Sequence, residues 1–289
     1  MAEKDIDQLS GIETTGHEWD GIKELNNPLP RWWLWTFYAT VIWSLGYVIA
    51  YPAIPLVSSA TSGVLGYSSR AEVAEEITKA KIAQSDLLSR IESSSLEEIR
   101  KTPELLQFAT AGGKSAFGVN CVQCHGSGAA GSPGYPNLND DDWIWGGSLE
   151  QIYTTIKHGI RFQWDDDTRV SEMPAFGADE LLAKDEISDT AAYVRKLAGL
   201  DHEVNAARRG TSIYAENCAA CHKETGEGDP EQGAPNLKDA IWHYGSSHEE
   251  IVAQISKPRH GVMPGWVNRL DDNTIKKLTV YVHSLGGGE

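Results

Sequence analysis

Four cysteines occur in the 289 residues, and all four lie in two copies of one pattern. The copies are Cys121-Val122-Gln123-Cys124-His125 and Cys218-Ala219-Ala220-Cys221-His222. Two thiols three positions apart, followed at once by an imidazole, form the attachment pattern for a covalently bound c-type haem. The thiols add to the two vinyl groups of one porphyrin, and the histidine comes to lie under the iron. Other uses of Cys-x-x-Cys fit poorly. A four-thiolate zinc site needs two such pairs about 15–20 residues apart, whereas these are separated by about a hundred. A thioredoxin-like pair sits in a βαβ pattern, of which there is no sign. Neither alternative explains a histidine after the motif both times. With every thiol used, none is left for a structural disulfide.

The sixth iron ligand is also legible. Apart from Met1, the methionines are Met173 and Met263, each followed by proline. A lone methionine is usually core filler. Two at equivalent places in a repeat, with none elsewhere, point to ligation. A soft thioether favours reduced iron and raises its potential. The expected iron ligands are therefore His125, Met173, His222 and Met263. With both axial positions filled there is no open place for a substrate, which is the coordination of an electron carrier. The simplest pairing is within each repeat, Met173 with His125 and Met263 with His222. Exchange between two similar domains packed face to face is the alternative. His158 and His260, in matching His-Gly dipeptides, are read as bonding haem propionates or facing water. His202, His243, His248 and His283 are read as surface or supporting residues.

The repeat extends well beyond the motifs. Gly134-Tyr135-Pro136-Asn137-Leu138 matches Gly233-Ala234-Pro235-Asn236-Leu237, and Trp143 and Trp145 match Trp242 and Tyr244. Each copy opens on a helical segment entering the motif and closes on another, around Tyr193 and Tyr281. The first copy alone carries an insertion, Arg161 to Glu172, with three consecutive aspartates. A charge run of this kind predicts a solvated loop; a partner-docking loop is the sharper alternative.

Upstream of the repeat, residues 1–30 are polar and acidic and end in a proline-bearing stretch. Trp32 to Tyr51 then gives twenty residues without a charge. At about 1.5 Å per residue this matches a hydrocarbon core of roughly 30 Å. Trp32, Trp33 and Trp35 at one end and Tyr47 and Tyr51 at the other form the aromatic belts of a spanning helix. The acidic leader and long apolar run favour a retained anchor over a cleaved signal peptide. Lys23 and Arg31 precede the run, and the next basic residue is Arg70, which places the N-terminus inside. Residues 58–69 read as a Ser/Gly-rich linker. Ser69 to about Arg100 reads as a helix, and Thr102-Pro103 as a further helix start. The expected organisation is a cytoplasmic segment at 1–30, a transmembrane helix at 31–57 and a partly helical linker at 58–107. Cytochrome domains follow at 108–200 and 205–289, in a mainly α fold. The formal net charge of -16 disfavours nucleic acid, whose phosphates need cations, and suits a basic protein partner.

The two repeats resemble class I cytochromes c. That resemblance implies a proline carbonyl, at Pro136 and Pro235, accepting a hydrogen bond from each axial histidine. His17-Glu18-Trp19-Asp20-Gly21-Ile22-Lys23-Glu24-Leu25-Asn26-Asn27-Pro28-Leu29-Pro30-Arg31-Trp32-Trp33 resembles the opening signature of the FixP/CcoP family, the dihaem subunits of cbb3-type cytochrome c oxidases. Anchor, linker and two cytochrome domains follow in the family order. The resemblance implies two covalently bound haem c groups and a non-catalytic role in electron transfer. Electrons would pass from a donor cytochrome c, or from the quinol–cytochrome c reductase, toward a monohaem subunit and the oxygen-reducing catalytic subunit. It also implies a bacterial inner-membrane protein with one pass, a cytoplasmic N-terminus and periplasmic haem domains. Two other readings stay open on the residues alone: a tethered dihaem carrier serving another complex, and a dihaem peroxidase. The second needs an iron with an open or displaceable ligand, which two equivalent methionines oppose.

Overall fold

The computed structural model describes residues 5–288. The chain divides into two compact units, residues 1–83 and 84–289.

In the first unit, β1 (Thr14–Trp19) and β2 (Ile22–Leu25) form an antiparallel hairpin in which Trp19 faces Ile22 and Glu18 faces Lys23. Asp20 and Gly21 make the turn with φ of 50° and 82°. Two positive φ angles give the turn whose twist matches that of paired strands, and Asp-Gly is a favoured pair for it. The sequence reading found no element in this polar stretch, although that dipeptide was its signal. Helix α1 (Arg31–Ala50) starts directly after Pro30 and buries no residue. Its hydroxyls bond back along the helix: Thr36 Oγ1 donates to Trp32 O at 3.0 Å and Ser44 Oγ to Thr40 O at 2.7 Å. An apolar helix whose polar groups are satisfied internally suits a bilayer. Among the described residues it is the one helix long and apolar enough to cross a membrane. Helix α2 (Ser69–Ala83) closes the unit.

The single helix expected from Ser69 to Arg100 is broken, and α3 (Ser85–Ser93) and α4 (Leu96–Lys101) belong to the second unit. The serine run from Ser93 to Ser95 causes the second break. Ser95 Oγ accepts from Glu98 N at 3.2 Å while Glu98 Oε2 accepts from Ser95 N at 2.8 Å. This reciprocal cap starts a new helix. Ile91, Leu96 and Ile99 pack with Leu105, Leu149 and Val280, so these two helices belong to a core.

The repeat supplies α5 (Pro103–Asn120), α6 (Val122–His125), α7 (Leu149–His158) and α8 (Lys184–Leu197). Its second copy supplies α9 (Val204–Asn217), α10 (Ala219–His222), α11 (His248–Ser256) and α12 (Asp272–His283). The closing helices are exchanged. Helix α12 packs on α5 and α7, and α8 packs on α9 and α11. One core joins Phe117, Ile152 and Ile156 of the first copy to Ile275, Leu278 and Val282 of the second. The other joins Phe176, Ile187 and Val194 of the first copy to Tyr214, Ile251 and Ile255 of the second. Each core therefore draws on both repeats. The short connection from α8 to α9 makes their packing a local event, whereas α12 must return to α5 from far along the chain.

Both helix crossings need a glycine. At Gly113 an added Cβ would lie 2.1 Å from Lys277 O on α12, and at Gly210 it would lie 2.1 Å from Asp189 O on α8. Asp189 and Arg209 tie the second crossing in a two-point ion pair, Nε to Oδ2 and Nη2 to Oδ1, both 2.6 Å. The exchange happens where Ile160 and Met263 pair backbone to backbone. Ile160 N donates to Met263 O at 2.9 Å, and Met263 N donates to Ile160 O at 3.1 Å.

Candidate haem-binding sites

Each Cys-x-x-Cys-His motif forms one helical turn. His125 N donates to Cys121 O at 3.0 Å, and His222 N donates to Cys218 O at the same distance. Positions i, i+3 and i+4 share a helix face, so both sulfurs and the imidazole present to one side. Cys121 lies against the core of Phe117, Ile152 and Ile156, and Cys218 is buried beside Tyr214. Burial pushes both thiols up to about 11. Cys124 and Cys221 are exposed.

His125 Nδ1 donates to Pro136 O at 3.0 Å, and His222 Nδ1 donates to Pro235 O at 3.0 Å. The loop carrying each proline folds back through a glycine, Gly131 or Gly228, with φ of 67° and 76°. A Cβ at Gly131 would lie 2.4 Å from Tyr135 O, and one at Gly228 2.5 Å from Ala234 O. With Nδ1 engaged, Nε2 is the atom free for a metal, and a carbonyl acceptor fixes that tautomer. Burial holds both imidazoles below the ordinary histidine range, with the proline carbonyls opposing. Both rings are thus neutral at pH 7 and have a lone pair to give. Two sulfurs, one oriented imidazole and an apolar wall fit a covalently bound haem.

The methionines follow the exchanged helices. Met263 packs against the core of Phe117, Ile152 and Ile156, as do Cys121, Val122 and Leu138 on the His125 side. Met173 packs against the core that includes Tyr214 and Cys218, as do Ala219 and Leu237 on the His222 side. Each methionine thus packs in the core that carries the other repeat's motif. The insertion is a largely solvated loop, half of its residues exposed, with one side chain turned inward. The Asp165 side chain is covered, its carboxylate 3.2 Å from His158 Nδ1, while Asp166 and Asp167 face water. His260 sits at the exchange point, where its Nε2 accepts from Met173 N at 3.2 Å.

Two arginines escaped the sequence reading. Arg169 stacks 5.5 Å from the Trp145 ring and donates Nη1 to Trp145 O at 2.7 Å. Arg259 stacks 4.3 Å from the Tyr244 ring and donates Nη2 to Tyr244 O at 3.2 Å. Each stands four residues before a methionine, a matched offset that would have found them. The aromatics join the two sites. Gly233 approaches the Trp145 ring, Gly134 approaches Tyr244, and Gly134 N donates to His243 O at 2.8 Å. Each motif's loop therefore touches the other repeat. Beside this junction His243 Nε2 is buried without a hydrogen-bond partner, 4.0 Å from Asp142 Oδ2. Burial first, then Asp239 and Asp140, push the Asp142 carboxyl up to about 6.

Fold and sites define a helical protein of the cytochrome c class, fitted to bind haem c, with one N-terminal helix long and apolar enough to cross a membrane. Comparison with known sequences narrows this. Residues 11–58 match the N-terminal domain of cytochrome oxidase-cbb3, FixP, and residues 108–194 and 205–282 match cytochrome c oxidase, cbb3-type, subunit III. The cbb3-type cytochrome c oxidase subunit FixP of Rhizobium meliloti is 56% identical over 286 residues, 99% of this chain and 98% of its own. Subunit CcoP of Cereibacter sphaeroides is 52% identical over 276 residues, 96% of this chain and 95% of its own. The chain belongs to the FixP/CcoP family of cbb3-type cytochrome c oxidase subunits, electron-transfer components of a terminal oxidase.

Proposed function

We propose that the chain binds two haem c groups and relays electrons from a donor cytochrome c toward the oxygen-reducing subunit of its oxidase. Cys121 and Cys124 anchor one group and Cys218 and Cys221 the other. His125 with Met263 would hold one iron, and His222 with Met173 the other. What carries this reading is the duplicated turn with its histidine-to-proline bond, each copy completed by a methionine from the other repeat. Bound haem supplies one-electron chemistry at iron.

The protein's own part is to set and protect that chemistry. The proline carbonyls make the imidazoles more basic and stop them rotating. The thioethers of Met173 and Met263 would favour the reduced state and leave no open place for another ligand. Arg169 and Arg259, pinned on aromatic walls, present cations suited to the haem carboxylates. The loop contacts at Trp145 and Tyr244 bring the two sites next to each other, as a relay requires. The hairpin and α1 would dock on the catalytic and monohaem subunits of the complex. The N-terminus lies in the cytoplasm and both sites in the periplasm of a bacterial inner membrane, consistent with Lys23 and Arg31 preceding the span. The excess of 41 acidic over 25 basic residues suits a basic donor.

Purification from native membranes, with haem typing and subunit identification, tests the assignment; two c-type haems with a copper- and b-haem-bearing partner are expected. The ligand pairing is read in chains keeping one motif. With Cys218→Ser and Cys221→Ser, only the His125 site is loaded. Met263→Ala then abolishes the sulfur-to-iron charge-transfer band of the ferric protein, whereas Met173→Ala leaves it. The reverse outcome overturns the exchanged pairing.

A further inference from the structure

The insertion that the second repeat lacks begins at Arg161, and this residue stands between both methionine loops. Its Nε donates to Gly261 O at 2.7 Å and its Nη1 donates to Ser171 O at 2.9 Å. Gly261 lies two residues before Met263, and Ser171 two residues before Met173. One guanidinium therefore grips the same point on each of the two loops. The backbone supports this. Arg161 N donates to Arg169 O at 2.8 Å, and the preceding residue, Ile160, exchanges both backbone hydrogen bonds with Met263.

The conformation of Arg161 is itself informative. Its φ is 50°, in the left-handed region where glycine is at ease and a long side chain is not. A non-glycine residue persists there when its surroundings over-determine it. Arg161 is half-buried, as are Ser171 and Gly261, the two residues it reaches, where a charge-assisted hydrogen bond is strong. The planar fork holds its two donors in fixed directions, whereas the donors of an ammonium group rotate freely.

We propose that Arg161 is a positioning residue shared by both axial methionines, a clasp that makes the two ligand loops one mechanical unit. It touches neither sulfur; it acts by fixing the carbonyl two residues upstream of each. Strain or slack at one loop is then passed to the other. The proposal rests on the reading of Met173 and Met263 as iron ligands.

The test uses the full chain, haem-loaded, in detergent. Arg161→Gly removes the fork and relaxes the positive φ, so the loop backbone is not strained by the change. Arg161→Lys keeps the charge and loses the two-point grip. Each iron–sulfur bond is followed by the upfield-shifted methionine methyl resonance of the reduced protein and by the ferric charge-transfer band on heating. Midpoint potentials come from redox titration, and helix content from circular dichroism.

In the unaltered protein both methionine signals disappear in one thermal transition. In Arg161→Gly both disappear earlier and in separate steps, and both potentials fall while helix content is kept. Arg161→Lys is intermediate. An effect on one haem alone, or unchanged signals and potentials at both, overturns the proposal. Should Arg161→Gly lose its helices, the lysine variant decides on the same criteria. Met173→Ala and Met263→Ala are run beside them. If neither removes a methionine signal, the ligand reading fails; if each removes one and the Arg161 variants match the unaltered protein, only the clasp fails.

Discussion

Gly113→Ala probes the exchanged packing at its tightest point. The new methyl group would lie 2.1 Å from Lys277 O and 2.6 Å from Tyr281 Cβ. Unstrained heavy-atom contacts need roughly 3.5 Å, so the overlap exceeds 1 Å and the nearest obstacle is backbone. Helices α5 and α12 must part to admit it. Overpacking a filled core costs about 1–3 kcal/mol, and a backbone obstacle places this case near 3. Alanine returns about 1 kcal/mol through its better helix propensity. The net loss is about 2 kcal/mol, which lowers Tm by ~4–8 °C in a unit of this size. Gly118 on the same helix is the control. A Cβ there meets nothing within 4 Å, and the matching residue of the second repeat is Ala215. Gly118→Ala should therefore raise Tm by ~2–4 °C through propensity alone. Thermal unfolding of the two haem-loaded variants, followed by helical circular dichroism, gives the comparison. If Gly113→Ala proves as stable as Gly118→Ala, α5 does not pack against α12 in this way.

The remaining predictions concern topology and pH. A protease site placed in the connection from Ala198 to Glu203 should be cut without releasing either fragment, because each core contains helices from both sides of the cut; two separately eluting fragments on gel filtration would refute the exchange. Residues 201–289 expressed alone lack both Met173 and α8, so their haem should show no methionine charge-transfer band. The Asp142 carboxyl, raised to about 6 mainly by burial, binds its proton more tightly folded than unfolded. Its contribution therefore favours folding below about pH 4 and is lost as pH rises through 6. Relative to the unaltered protein, Asp142→Asn should gain stability progressively between pH 4 and 7, measured by denaturant unfolding at each pH; a constant difference across that range would refute it.

Much of the site could be read from residue types and spacing. A helix makes i, i+3 and i+4 share a face, so Cys121, Cys124 and His125 present to one side wherever that helix goes. The anchor followed equally directly, since twenty uncharged residues have few other uses. The hairpin of β1 and β2 was signalled by Asp20-Gly21 and passed over because its flanks are polar. Arg169 and Arg259 were signalled by an equal offset before each methionine. Their task was not, because it depends on aromatics far away in sequence.

The repeat pointed to both methionines as ligands and could not say which motif each would serve. Two copies with matching helices offer two ways to pair, and local sequence serves each about equally. What decides is tertiary: which closing helix reaches which opening helix, through Gly113 and Gly210, and where the chains cross at Ile160 and Met263. The same holds for Arg161. As a letter it opens a charged insertion; only in the fold does its fork meet Gly261 and Ser171, ninety residues apart in the chain. Sequence fixes what each short segment can bind, because that depends on a single turn. Long-range packing fixes which segments meet, because that depends on burying faces that many partners could cover.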